Sequence, residues 1–549
     1  MISIPALNLL RLIIVALVSG LTLSGCGTQS KESSRSAKVM RWENAQAHGA
    51  VGDGQTVNTV AINHAIVALS ASGGGTLHFT QGTYLTGTIY LRSGVTLELD
   101  SGVTLMGTTD LADYPENRAP RPGDRLEYGR HALIQAEGQH DIAIVGQGRI
   151  YGQGDHSNFT KRDLLARGWT PRAAYLRRPY GLSFVRCQRV RVEGIRIENI
   201  AFWCQHYLDC DDVLVRGVTV DSKKLDYNND GIDIDSSRHV RVCDCQFSVG
   251  DDAICFKASY GDCENVVVTN CTASSLANGV KFGTASSGGF KNITVSHITL
   301  EDIQAAGIAL EIVDGGTLDG VTLDHFTMHK VGAAIFIRLG DMARRWTDDQ
   351  PMRAIGVLKN VSISDVVAEQ ASSDTRPLCG SITGLPGHPV ENISLSNVRI
   401  TTTRDHDRAR SQIDFHKVPE VESTYPEYAM FCELPAYGLY LRHVRGLTLR
   451  NVQVSFTGQD YRSAIVCDDV EQITIDGFQA RSLPQSAATL YFNDVRSAAI
   501  NGIAAPLATN MLLQVEGRSH GIHLGFKTLA QAGHLVIGGT GASAVDCTP

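Results

Sequence analysis

At 549 residues with 43% apolar side chains, the chain can bury an extensive core, and without an internal repeat it would read as two ordinary domains. A net charge of −8, a pI near 6.1 and the lack of any basic block argue against a nucleic-acid partner. With 54 glycines and only 7% aromatic residues, the composition suits β-structure with many tight corners.

The chain opens on a targeting segment. Arg11 precedes an apolar run over residues 12–23 that is too short to span a membrane and ends at Leu23-Ser24-Gly25-Cys26. That tetrapeptide resembles the bacterial lipobox, which implies a signal peptide over residues 1–25 and a lipidated Cys26 as the mature N-terminus. Residues 26–45 then form the lipidated cysteine and a polar tether. Gly27 in place of Asp implies export beyond the inner membrane, to the outer membrane or periplasm of a bacterial envelope, with membrane contact only through the anchor. A plain cleaved signal peptide is the alternative, and either route takes the chain out of the cytoplasm. The twelve remaining cysteines can pair there, but no spacing among them gives a metal site and most fall at strand positions.

Residues 46–549 read as a single domain. After Gly52-Asp53-Gly54, residues 59–69 carry apolar side chains at helical spacing, and Ser70-Ala71-Ser72-Gly73-Gly74-Gly75 ends the pattern. A helix there caps the first coil of a solenoid, whose open end would otherwise expose core and strand edges. Strands begin at residues 76–79 and 95–99.

From Val190 a repeat is visible. Segments starting at Val190, Val213, Val240, Val266, Ile293 and Val321 share one alternating apolar pattern, which resumes at Val361, Ile393, Leu447 and Ile473 after longer insertions. The first intervals, read from those numbers, are 23, 27, 26, 27 and 28 residues. A period of that size marks a solenoid, and period-two alternation rich in Val, Ile and Thr makes its units strands. The fold class is all-β, a parallel β-helix with an N-terminal capping helix. Asn265, Asn292, Asn360 and Asn392 precede strands and read as corners, because Asn enters the left-handed region cheaply. Cys245 and Cys271 share a register with Val218 and Ile298 and read as core thiols. The insertion over residues 403–437 reads as a loop over the groove or at the C-terminal end.

Coiling gives the acidic residues their meaning. Asp230 lies in Asn228-Asn229-Asp230-Gly231, about one period before Gly250-Asp251-Asp252. Neighbouring coils are roughly 4.8 Å apart, so three carboxylates share one wall. Glycosidic hydrolysis needs one protonated carboxyl for the leaving oxygen and an ionised one to activate water, set roughly 6.5 to 9.5 Å apart in an inverting enzyme. Asp is also an ordinary turn residue, as Asp233, Asp235 and Asp262 illustrate. Which aspartate keeps the proton is a property of the coupled cluster. Trp203 and His206 lie one coil before Asp230, where they either form an aromatic platform for a sugar or pack under a loop. Lys257 either tunes the acids or stacks outside, and Arg177-Arg178-Pro179 reads as a structured loop.

Gly52-Asp53-Gly54 with its helix, Gly148-Arg149-Ile150-Tyr151-Gly152-Gln153-Gly154, Phe202-Trp203, Asn228-Asn229-Asp230-Gly231 and Gly250-Asp251-Asp252 together resemble glycoside hydrolase family 28, the polygalacturonases and rhamnogalacturonan hydrolases. The resemblance runs from about residue 47 to residue 340. It implies a right-handed parallel β-helix and hydrolysis with inversion, with Asp251 as general acid and Asp230 and Asp252 holding the attacking water. No cofactor or metal is implied, the partner is a pectin-like polysaccharide or oligosaccharide, and the chain is expected to be a monomer. Asn228, Trp203, His206, Lys281 and Glu311 are the expected substrate-binding residues.

Departures from the family bear on the substrate. Asn278 stands where polygalacturonases carry the histidine of Gly-His-Gly, and Ala309-Leu310-Glu311 stands where they carry Arg-Ile-Lys. Loss of both cations, with Glu311 as a negative wall, points away from homogalacturonan and toward a rhamnogalacturonan-type or mixed pectic glycan, with Lys281 as the surviving cation, which either contacts the sugar or forms a structural ion pair with Glu311 or an aspartate. Two alternatives stay open. One is a noncatalytic carbohydrate-binding β-helix. The other is a calcium-dependent lyase, which would need a carboxylate cluster and a basic partner such as Lys257 or Lys281.

Overall fold

The computed structural model describes residues 41–116, 131–223, 228–371, 378–403, 405–406, 413–503, 511–525 and 537–547. Cys26, the targeting segment and the tether up to residue 40 lie outside them. From Arg41 onward the chain winds as a right-handed parallel β-helix, the hand favoured for parallel crossovers.

The repeat read from sequence is the register of the coil. Val190 pairs with Val213, then Val240, Val266, Ile293, Val321, Val361, Ile393, Leu447 and Ile473, all in parallel. Their side chains are buried, so each coil adds one apolar rung to a continuous core. A slip by one residue would turn every rung outward.

Corners carry a second ladder. Asn265, Asn292, Asn360 and Asn392 hold φ of 56°, 52°, 57° and 54°, a left-handed conformation that costs ordinary residues roughly 1–2 kcal/mol. Their amides offset that cost by bonding along the stack, Asn292 to Asn265 at 2.7 Å and Asn392 to Asn360 at 3.1 Å. Cys245 and Cys271 are buried, and all twelve cysteines among the described residues are free.

The helix spans Thr59–Ala71 and buries Ile62, Ala65, Ile66 and Leu69 at its predicted stripe. It ends where Gly73 and Gly74 turn left-handed, at φ 97° and 100°. The first coil starts earlier than the sequence suggests. Strand Arg41–Asn44, which falls in the stretch read as tether, pairs in parallel with Gly75–Phe79, and Asp53–Val57 pairs with Gly82–Thr86. Neither strand has enough alternating apolar residues to announce itself. Among the described residues no helix is long and apolar enough to cross a membrane.

One face of the coil bears the candidate site. Its outward positions run His206, Asp233, Cys255, Lys281, Ala309, Phe336 on successive coils. Two insertions flank that face. One carries helices Lys161–Ala166 and Pro171–Arg177, and the other covers residues 413–434.

Candidate active site

A cleft of about 350 Å³ opens on this face, lined by Asp230, Asp251, Asp252 and Asn228 together with Trp203, Lys257, Arg344 and Tyr425 among others. Asp230 and Asp252 are brought together by adjacent coils. The Gly231 amide donates to the Asp252 carbonyl at 2.9 Å, and a Cβ at Gly231 would lie 2.4 Å from the Ala253 carbonyl. Only glycine lets the two coils close here, and a carboxylate oxygen of Asp230 and one of Asp252 then lie within 4.8 Å of each other.

Asp251 is held separately. Its Oδ2 accepts from the Asn228 backbone amide at 2.8 Å, and its Oδ1 from the Asp252 amide at 3.0 Å. Asn228 reaches it through a left-handed backbone, φ 73°, which Asn tolerates better than most residues. The Asn228 side chain accepts from Arg178 Nη2 at 2.7 Å, and the buried Arg178 guanidinium lies 4.8 Å over Phe202. The Arg-Arg-Pro loop thus positions the residue that positions Asp251.

Two ammonium groups are interleaved with the acids. Lys257 Nζ lies 3.1 Å from Asp233 and 3.8 Å from Asp230. Lys281 Nζ lies 3.1 Å from Asp252 and 3.7 Å from Glu311. Asn278 donates to Asp252 Oδ1 at 2.8 Å, with its own Oδ1 fixed by the Ala306 amide at 3.0 Å.

Five carboxyl groups therefore share two cations, and buried negative charge beyond that balance is expensive. The cluster responds by keeping protons. Burial and the charges of Asp233 and Asp251 push Asp230 well above the usual carboxylate range. Burial and the charge of Asp252 raise Asp251 to about 6, and burial raises Asp233 to about 7 against the pull of Lys257. Asp252 goes the other way. Burial alone would raise it, but Lys281, Lys257 and the Asn278 amide hold it below its ordinary value. The site thus offers one firmly ionised carboxylate beside carboxyls that retain a proton near neutrality.

The residues expected to contact sugar fall in different surroundings. His206 is 1% exposed and does not line the cleft. Its ring stacks on Tyr180 at 5.6 Å, meets Trp203 edge-on at 5.1 Å and faces Asp235 across 3.6 Å. Lys281, 3% exposed, is enclosed by ion pairs to Asp252 and Glu311, the structural alternative to sugar contact. Glu311 is buried too, and burial raises it to about 8 despite Lys281, so it presents no negative wall to the cleft. Trp203 does line the cleft, with Lys257 Nζ 4.7 Å over its ring and Phe202 stacked on it at 5.4 Å.

Other residues escaped the sequence reading. Asp233 passed for a turn residue, although it stands on the outward register of a strand. Arg344 lines the cleft, held by Asp314 at 2.9 and 2.8 Å and by the Thr284 carbonyl at 2.6 Å, with Trp346 beneath it at 5.4 Å. Tyr425, 46% exposed, stands on Lys281 with its hydroxyl 3.4 Å from Nζ. Both sit in insertions that lengthen the repeat, between Val321 and Val361 and between Ile393 and Leu447, and that lengthening was the only signal. The second insertion lies over the groove, as one of its two expected placements had it.

The sequence profile described as glycosyl hydrolases family 28 matches residues 75–420. A probable polygalacturonase of Vitis vinifera is 26% identical over 421 residues, 71% of this chain and 82% of the relative. An exo-poly-alpha-D-galacturonosidase of Dickeya chrysanthemi is 28% identical over 282 residues, 44% of this chain and 46% of the relative. The hyperthermoactive exopolygalacturonase of Thermotoga maritima superimposes with a TM-score of 0.55 at 24% identity, covering 66% of this chain and 87% of that one. The family 28 exopolygalacturonase of Yersinia enterocolitica gives 0.51 at 17% identity, covering 93% and 79%.

Proposed function

This chain belongs to glycosyl hydrolases family 28, and on that footing we propose that it hydrolyses pectic polysaccharide with inversion, Asp251 acting as general acid and Asp230 with Asp252 holding the attacking water. The proton of Asp251 passes to the glycosidic oxygen as its bond to the anomeric carbon breaks. Water, held between Asp230 and Asp252, attacks that carbon from the opposite face and gives up a proton to the ionised Asp252. The observation that carries this reading is the separation of roles. Asp230 and Asp252 have oxygens within 4.8 Å, close enough to share one water, while Asp251 is oriented apart from them by two backbone amides. Asp252 is the ionised member and Asp251 retains a proton up to about 6.

The substrate proposed is a rhamnogalacturonan-type or mixed pectic glycan rather than plain homogalacturonan. Support comes from missing attraction. Ala309 carries no charge, and Lys281 is committed to Asp252 and Glu311. The curated relatives above are named for galacturonan, which makes the substrate comparison the informative one. Release of reducing ends that persists in chelator, without the absorbance of an unsaturated product, supports the hydrolase; an unsaturated product or chelator-sensitive cleavage would replace it with a lyase. We also propose export as an envelope lipoprotein anchored at Cys26.

A further inference from the structure

We propose that the enzyme attacks its polysaccharide from a chain end, because residues 413–434 close the groove one coil beyond the catalytic aspartates. The proposal rests on the hydrolase reading. Cleavage within a long chain requires a groove open in both directions from the scissile bond. Here the outward face of the sheet is roofed on the C-terminal side.

The roof is built into the sequence of the sheet. Outward positions after Lys281 are Ala309, Phe336, Ser381, Tyr440, Val466 and Tyr491. A face meant for a sugar chain would be polar and open, yet Ala309, Phe336, Ser381, Tyr440 and Val466 are buried. Val418, Tyr428, Phe431 and Leu434 of the insertion pack onto them.

Polar ties fix the strap to the same face. Arg338, the outward residue two positions after Phe336, donates to the Glu420 carbonyl at 2.7 Å and lies 5.3 Å over Phe431. The Asp341 amide donates to the Glu422 carbonyl at 2.7 Å, and Arg442 Nη1 to the Val418 carbonyl at 2.8 Å. These are buried apolar and backbone contacts, those of a permanent wall. Its tip, Tyr425, stands on Lys281 and forms one side of the cleft. Lys281 is in contact with Asp252, so the wall begins on the coil next to the acids, and the polymer must leave by the other side.

The test uses the full-length enzyme on a long pectic polysaccharide, following viscosity, reducing ends and product size together. End attack gives one small product size from the first time point, with reducing ends rising while viscosity barely falls. An early ladder of intermediate sizes with a steep loss of viscosity would overturn this proposal and leave the hydrolase reading standing. No hydrolysis of any pectic glycan would overturn both. Tyr425→Ala, at an exposed position, should add longer products to the mixture if the tip sets the limit; a product profile identical to wild type would remove Tyr425 from the wall.

Discussion

The Asn278 amide donates a 2.8 Å hydrogen bond to Oδ1 of Asp252, from the position where related polygalacturonases keep a histidine. Asn can neither take nor give a proton in turnover, so its contribution here is to orient an ionised carboxylate and lower its affinity for protons. Hydrogen bonds to charged groups contribute about 1.5–3 kcal/mol. Asn278→Ala should therefore lower kcat by roughly ten- to a hundredfold, with KM little changed. An unchanged kcat would show that Lys281 alone suffices to hold Asp252.

Asp251→Asn removes the proton donor and keeps one of the two backbone contacts, since an amide oxygen accepts from an N–H and an amide nitrogen does not. Loss of a general acid costs about 10² to 10⁴ in rate, and the variant should still unfold in one cooperative thermal transition. Near-normal turnover on the true substrate would move the acid role to another carboxyl of the cluster.

The pH dependence follows from the same group. Asp251 must carry its proton to act, and burial sets its value at about 6. Activity should be highest between the low range in which Asp252 takes up a proton and about 6, and fall as pH rises through that upper value. Lys281 lowers Asp251 by its charge, so Lys281→Met should raise it and move the alkaline limb to higher pH. A limb that stays in place would mean that another group is titrating.

How much of this was legible in the sequence depends on periodicity. Val190, Val213, Val240 and their successors fell into register because every coil must bury one rung, a demand repeated often enough to survive insertions. The aspartates followed from that register, since their positions differ by one coil. The surroundings of His206, Lys281 and Glu311 were not legible, because outward residues become exposed or buried according to what lies over them. Tyr425 over Lys281 and Tyr175 against Phe202 sit in segments with no repeat to place them. Arg344 was invisible for the same reason, its partner Asp314 lying a coil away behind an insertion.

Anchoring is tested independently of catalysis. Leu23-Ser24-Gly25-Cys26 predicts acyl labelling at Cys26 and partition with membranes. Cys26→Ala should abolish labelling and release the chain. A wild-type protein that is fully soluble and begins elsewhere would refute the anchor.

Specificity remains, and the buried state of Glu311 changes its expected size. Read from sequence, Glu311 repels a galacturonate carboxylate; in the structure it is enclosed with Lys281, so the penalty is a missing attraction instead. A cation within 4 Å of a carboxylate is worth about 1 kcal/mol in water-like surroundings and about 4 at an effective dielectric of 20, which converts to roughly one to three decades in rate. Initial rates on polygalacturonate should therefore fall below those on rhamnogalacturonan fragments at matched ionic strength. Arg344 is the exception to watch, because its guanidinium lines the cleft with a side chain 30% exposed. If polygalacturonate is cleaved as fast as the mixed glycan, with KM rising steeply as salt is added, Arg344 has taken over the carboxylate and the proposed preference is wrong.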